Sequence, residues 1–175
     1  PKLNQETKNI IDNREQLKEL VNCYGSPLNI LFPNVMNKNI SDFKEILKKH
    51  NLSGKIYYAH KCNKSNSFLK QALQNQINVD VASLEELKSA LSNGFTGDRI
   101  EATGPKNDEF IILGIRHNIV FNVDNLEEIK KINYFKEKIQ TKNKIRVLLR
   151  LNGFKSEETK IINRSSRFGT PKSQV

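Results

Sequence analysis

Lys61 stands at a junction in the stretch KIYYAHKCNKSN (residues 55–66), where an apolar strand pattern gives way to polar residues. A primary amine in such a place has two uses. It can sit in a structural salt bridge, or, once deprotonated, it can condense with an aldehyde as a Schiff base. Other groups able to do chemistry recur at similar points further along: Asp80 in NVDVAS, Glu101 and Thr103 in RIEATG, Asn122 and Asp124 in NIVFNVD, and Arg150 in KIRVLLRL. Asp80 is placed to balance the ammonium, and Arg150 to complete a charge network or to contact substrate. From the residues alone, the salt-bridged and the Schiff-base lysine both stay open.

The elements that must position these groups alternate. After an amphipathic opening helix (ETKNIIDNREQLKELVN) and a turn with a short apolar run (YGSPLNILF), a helix is expected at about residues 36–50. Phe43, Ile46 and Leu47 lie on one face of it, with Ser41 or Asn39 as caps. Five strand patterns then alternate with helical ones of about ten residues, which argues for an α/β protein with parallel strands. Strand side chains alternate faces. Tyr57, Ala59 and Lys61 therefore share a face, as do Asp80 and Ala82, Glu101 and Thr103, Asn122 and Asp124, and Arg146, Leu148 and Arg150. The opposite faces are mostly apolar, with His60 the exception, read as a hydrogen-bonded core histidine.

Polar groups at the C-terminal ends of successive strands are the arrangement of a (β/α)₈ barrel. A dinucleotide-binding sheet instead requires a glycine-rich turn after its first strand, and HKCNKSN has no glycine. A complete barrel needs roughly 250 residues, and these 175 reach only the fifth strand. The expectation is a partial (β/α)₈ barrel, with residues 1–35 forming an N-terminal helix and strand that lead into it. Residues 36–175 then form its first part, about five βα units.

Composition narrows the function. Hydrophobic residues make up 37% and mean hydropathy is −0.60, with no apolar run long enough to span a membrane and no signal-peptide core at the start. Cys23 and Cys62 have no CxxC spacing and are expected as reduced, packed thiols of a cytoplasmic protein. The net charge of +10 raises a polyanion-binding reading. The lysines are instead mixed with acids on every helix, the pattern of solvated faces, and no nucleic-acid motif is present. Three scattered histidines, His50, His60 and His117, suggest no metal site.

The motifs YGSPL, YYAHKCNKSN, VDVASLEEL, GFTGDRIEATGPK, FNVDNLEEI, RVLLRL and SSRFG occur in the order and spacing of a known family. The chain resembles the fold-type III, alanine-racemase-like decarboxylases that use pyridoxal 5′-phosphate (PLP), which include the diaminopimelate, ornithine and arginine decarboxylases. The likeness runs from about Tyr24 to Gly169. It implies that Lys61, in YAHK where the family usually has YAVK, forms the internal aldimine with PLP. It implies further that Asp80 lies beside that lysine, that Glu86 lies near the cofactor, and that Arg150 packs close to lysine and ring. Ser166, Arg167, Phe168 and Gly169 match the family's SKFG element after a mobile stretch over the active site, with Arg167 in place of lysine.

The resemblance implies a decarboxylase that removes CO₂ from the α-carbon of a basic or diamino acid and works as a homodimer in its full-length form. The ring-stacking histidine, the glycine-rich phosphate loop, the acid at the ring nitrogen and the C-terminal β-domain all follow residue 175 in the family. The 175 residues alone are therefore expected to be inactive. Three alternatives stand beside this reading: an amino-acid racemase on the same barrel, a non-catalytic regulatory relative, and a basic polyanion-binding protein.

Overall fold

A computed structural model describes residues 3–152 and 168–171. The helices are α1 (Gln5–Asp12), α2 (Arg14–Tyr24), α3 (Pro33–Lys49), α4 (Asn66–Gln74), α5 (Leu84–Ser92), α6 (Asp108–Arg116) and α7 (Leu126–Ile139). The strands are β1 (Tyr57–Ala59), β2 (Asn78–Val81), β3 (Ile100–Ala102), β4 (Val120–Val123), β5 (Arg146–Leu149), and the short pair β6 (Leu151–Asn152) and β7 (Thr170–Pro171).

Strands β1 to β5 form one parallel sheet in sequential order. That order separates the two α/β architectures. A doubly wound sheet reverses direction at a switch point, which places helices on both faces. Successive right-handed crossovers without reversal leave every helix on one side. The core agrees: Val79, Val81, Ile100, Ala102, Phe121 and Val123 point to the helix side and are fully buried. They pack with Leu69, Leu87, Phe110, Ile111, Ile115 and Ile132 from the helices. The other face of the sheet carries the polar residues, as the alternation requires. The architecture is the expected partial barrel of βα units.

Residues 64–87 and 106–129 are the same unit built twice. Laying one on the other without a gap matches α4 to α6, β2 to β4 and the start of α5 to that of α7. The N-caps also coincide: Ser65 with Asn107, and Ser83 with Asn125. Gln76 and Asn118, which leave the paired helices with positive φ, correspond as well. VASLEE in the first unit answers VDNLEE in the second.

Four expectations need correction, most of them near the N-terminus. The single opening helix is two, because Asn13 closes α1 through its backbone N–H to Asn9 and opens α2 by accepting from Gln16 N. The run at residues 28–32, expected as a strand, is irregular. Its Ile30, Leu31 and Phe32 line an open cavity of about 440 Å³ with Met36, Phe68 and Cys62. Helix α3 starts earlier than expected, with Pro33 in its first turn. Ser41 and Asn39 are consequently interior residues rather than caps. Ile40 is its buried residue, while Phe43 and Ile46 are each 54% exposed. Cys23 and Cys62 are free and exposed rather than packed.

Candidate active site

Lys61 is not the last residue of a strand. β1 ends at Ala59, and residues His60–Cys62 turn in a single 3₁₀ turn that presents Lys61 to solvent. Two anchors hold the turn. His60 is 1% exposed and enters the core on the helix side. Tyr58 donates its hydroxyl to the Asn63 carbonyl at 2.8 Å, and burial pushes the phenol up to about 12. Asn63 then accepts from Ser65 N at 3.0 Å, and Ser65 caps α4. The lysine thus sits on a short, pinned loop at the C-terminal end of its strand. His60 itself is buried as expected; neither ring nitrogen has a hydrogen-bond partner of good geometry among the described residues, though a looser contact from the Lys64 backbone reaches the ring. Its burial lowers its pKa, partly opposed by Glu86.

Asp80 is brought beside Lys61. It pairs in register with Ala59, two residues before the lysine. The half-buried carboxylate accepts from the Thr103 hydroxyl at 2.7 Å on the next strand. Burial raises its pKa, and the Thr103 bond and the Lys61 and Lys106 charges hold it down in turn. The rim continues across the sheet. Asn122 donates to Glu101 at 2.7 Å, and Arg150 reaches Asp124 at 3.5 Å. These contacts confirm that the alternating polar residues share one face.

Glu86 is near but committed elsewhere. It is 4% exposed at the third position of α5. One oxygen accepts from Ala82 N at 2.9 Å, and the other lies 3.3 Å from the Lys64 ammonium. Its charge reaches Asp80 and His60 through space, and no described hydrogen bond or ion pair joins it to Lys61.

Arg150 stands just beyond β5, four strands from Lys61, and no described contact connects the two. Its guanidinium lies 4.7 Å over the Phe168 ring. The chain returns here: Thr170 N donates to the Arg150 carbonyl at 2.8 Å, and the Thr170 hydroxyl donates to the Asp124 carbonyl at 3.1 Å. Gly169 has φ +83°, and a Cβ there would meet the Arg150 carbonyl oxygen at 2.9 Å, so the close approach requires glycine. Ser166 and Arg167 lie outside the described residues.

One site residue escaped the sequence reading. Lys106, in GPK after β3, has a fully buried side chain and contacts Gly104, Asn122 and Glu128. The signal for it was the repeat itself: Lys64 and Lys106 each precede their glutamate by 22 residues. Among the described residues no group of His, Cys, Asp or Glu is arranged to hold a metal ion, and no helix is long and apolar enough to cross a membrane.

A sequentially ordered parallel βα sheet, with an exposed lysine beyond one strand and an acid on the next, defines a barrel-type domain. The chain belongs to the family described as pyridoxal-dependent decarboxylase, pyridoxal binding domain, which it matches over residues 34–175. It is 29% identical over 134 residues to diaminopimelate decarboxylase of Bacillus subtilis, covering 75% of this chain and 30% of that one. An uncharacterized protein of Sinorhizobium fredii is 37% identical over 110 residues, 62% of this chain and 24% of its own. Among solved structures, diaminopimelate decarboxylase of M. jannaschii superposes with a TM-score of 0.74 at 26% identity, covering 89% of this chain and 38% of that one. The chain thus spans between a quarter and two fifths of the length of these relatives. The family is pyridoxal-dependent, which implies PLP as cofactor. The residues present fit it: an exposed primary amine on a turn beyond its strand, and an acid on the neighbouring strand that feels the charge of that amine.

Proposed function

We propose that Lys61 is the amine that holds PLP, and that the intact protein is an amino-acid decarboxylase acting on a basic or diamino acid. The observation that carries this is the placement of Lys61, solvent-facing on a pinned turn beside Asp80, in a chain of the pyridoxal-binding family. Bound through Lys61, the cofactor supplies an electron sink for the pair left when CO₂ departs. The chain's residues do the rest. Asp80 sets the charge beside the Lys61 amine, with Thr103 fixing its orientation. Glu86 acts from behind Asp80, through its field. Arg150, steered by Asp124 and Phe168, would supply a cation to the cofactor or substrate. Arg167, in the element that resembles the family's SKFG, would act on substrate as the resemblance implies.

The substrate class rests on relatives: the M. jannaschii diaminopimelate decarboxylase has been solved in complex with L-lysine. The domain division at residue 35, homodimeric assembly, a cytoplasmic setting and the inactivity of the 175 residues alone belong to the same proposal. Both thiols being free is in keeping with a reducing compartment.

The test is to add PLP to the intact protein and record the visible absorbance band of the lysine-bound cofactor. The band should be absent in Lys61→Ala. A band that persists in that variant overturns the assignment, and no band in the wild type favours a non-catalytic relative. With candidate diamino acids, CO₂ release identifies a decarboxylase, whereas loss of chirality without CO₂ identifies a racemase.

A further inference from the structure

The Lys106 ammonium is the most deeply buried charge among the described residues. Its side chain has 0% exposure, and its three protons meet three acceptors: the Gly104 carbonyl at 2.9 Å, the Asn122 carbonyl at 2.8 Å and Glu128 Oε1 at 3.1 Å. Each acceptor leads to the rim. Gly104 follows Thr103, whose hydroxyl holds Asp80. Asn122 carries on its side chain the bond to Glu101. Glu128 accepts from Asp124 N with its other oxygen at 3.2 Å, and the Asp124 carboxylate meets Arg150. One cation therefore ties the ends of β3 and β4 to the start of α7.

We propose that Lys106 is a positioning residue of the cofactor site, whose buried ammonium holds Asp80 in place through Thr103 and Arg150 in place through Asp124. This rests on the reading of Lys61 as the cofactor lysine, and gives a role to a residue outside the set the resemblance supplies. Lys106 is fully enclosed and touches neither cofactor nor substrate; it acts only through its neighbours. A side chain of the same length without charge fills the space but leaves two carbonyls and a carboxylate without their donor, where charge-assisted hydrogen bonds are the strong ones. The equivalent Lys64 shows that capping the following helix does not itself call for burial, since that lysine is 68% exposed while Glu86 caps α5 all the same. What differs at Lys106 is the pair of strand-end carbonyls it gathers.

The test uses the intact protein and its affinity for PLP, read from the visible band during titration, in wild type, Lys106→Met, Arg150→Ala and the double variant. Lys106→Met is expected to weaken PLP binding by on the order of ten-fold, the usual scale for losing a residue that supports directly contacting groups. In the Arg150→Ala background the same change should cost less, about three-fold if the two routes weigh equally, because the share that runs through Arg150 is already lost. A second readout separates positioning from general loosening. The Lys106 charge helps keep Asp80 ionised, against the opposing charge of Glu86 and alongside Lys61. The acid limb of PLP binding should therefore move to higher pH in Lys106→Met.

Should Lys106→Met fail to fold, Glu128→Gln keeps an acceptor at that position while removing the charge. It should weaken binding several-fold with the same non-additivity. Wild-type affinity with an unmoved acid limb in either folded variant overturns the proposal, as do losses of equal size in both backgrounds. A wild type with no Lys61-dependent band removes the site reading and this inference together; a normal band with unaffected variants removes this inference alone.

Discussion

Residues 64–87 and 106–129 fold into one unit twice, and the two copies differ in what surrounds them. In each, a lysine reaches the third residue of the helix after the next strand, and that glutamate caps the residue four before it. The paired caps Ser83 and Asn125 even share backbone angles, −150°/161° and −154°/164°. Yet the Lys64 side chain is 68% exposed and that of Lys106 is 0%. Both units put their strand second from an edge of the sheet, so position in the sheet does not separate them. Lys106 also meets the Gly104 and Asn122 carbonyls, whereas the Lys64 ammonium meets only its glutamate among the described contacts. Local sequence sets the geometry of the latch, and its neighbours set its energetic weight.

The largest effect should come from cutting each latch in turn. Removing one partner of a buried ion pair typically costs ~3–5 kcal/mol, because the remaining charge is stranded. Lys106→Met should lose stability on that scale, and much of it should return in Lys106→Met/Glu128→Gln, where no charge is left unpaired. Burial already lowers the Lys106 pKa despite Glu128, so the pair is held against a desolvation cost. Lys64→Met should cost no more than ~1 kcal/mol, as exposed pairs do. Denaturant midpoints at constant slope measure both. Equal losses would break the comparison.

The units also differ in how helix meets strand. Gly114 in the second occupies the place of Ala72 in the first, and Phe121 the place of Val79. A Cβ on Gly114 would come within 2.6 Å of Phe121 Cζ and 2.7 Å of Ile119 Cδ1. The larger ring on the strand therefore requires the glycine on the helix. Gly114→Ala should destabilise by ~1–3 kcal/mol through overpacking, even though alanine is the better helix former by about 1 kcal/mol. Adding Phe121→Val rebuilds the pairing of the first unit, so the double variant should be more stable than the sum of the single changes predicts. Strict additivity would show that the contact does not limit packing.

These contrasts explain what the sequence could reveal. The βα alternation and the faces of the strands were readable because side-chain period and caps are local properties. Asp80 with Thr103, Asn122 with Glu101 and Arg150 with Asp124 meet as the alternation required. Lys61 stands on a turn rather than on a strand, because Tyr58 and His60 end β1 earlier than its apolar pattern suggests. The helix break at Asn13 was not legible, since an asparagine inside an amphipathic run caps as readily as it continues. Phe43 and Ile46 share a face as the spacing requires, and that face is half exposed because the helix is covered on one side. Lys106 looked like any loop lysine. Its burial depends on Asn122 and Glu128, which are distant in sequence, and only comparison of the two units exposes it. Arg167 lies outside the described residues.

The smallest expected effect concerns the layer beneath Lys61. The same shift that aligns the units places His60 on Ala102, both fully buried. An imidazole ahead of the first unit, where a methyl stands ahead of the second, brings a titration with no counterpart there. Burial lowers the His60 pKa from 6.5, with Glu86 opposing and the Lys64 charge adding to the depression. As pH falls below the unfolded value, the unfolded chain takes up a proton that the folded chain refuses, so stability falls. With a single proton the loss cannot exceed about 1.4 kcal/mol one unit below the unfolded pKa. Asp80 works in the opposite sense: its pKa is raised, so the folded state gains its proton first and is favoured as pH falls. Unfolding curves between pH 8 and 5 should therefore show a downward limb in the wild type that is missing in His60→Leu. If both proteins lose stability alike, the limb belongs to other groups, and His60 is as inert in its layer as Ala102 is in the matching one.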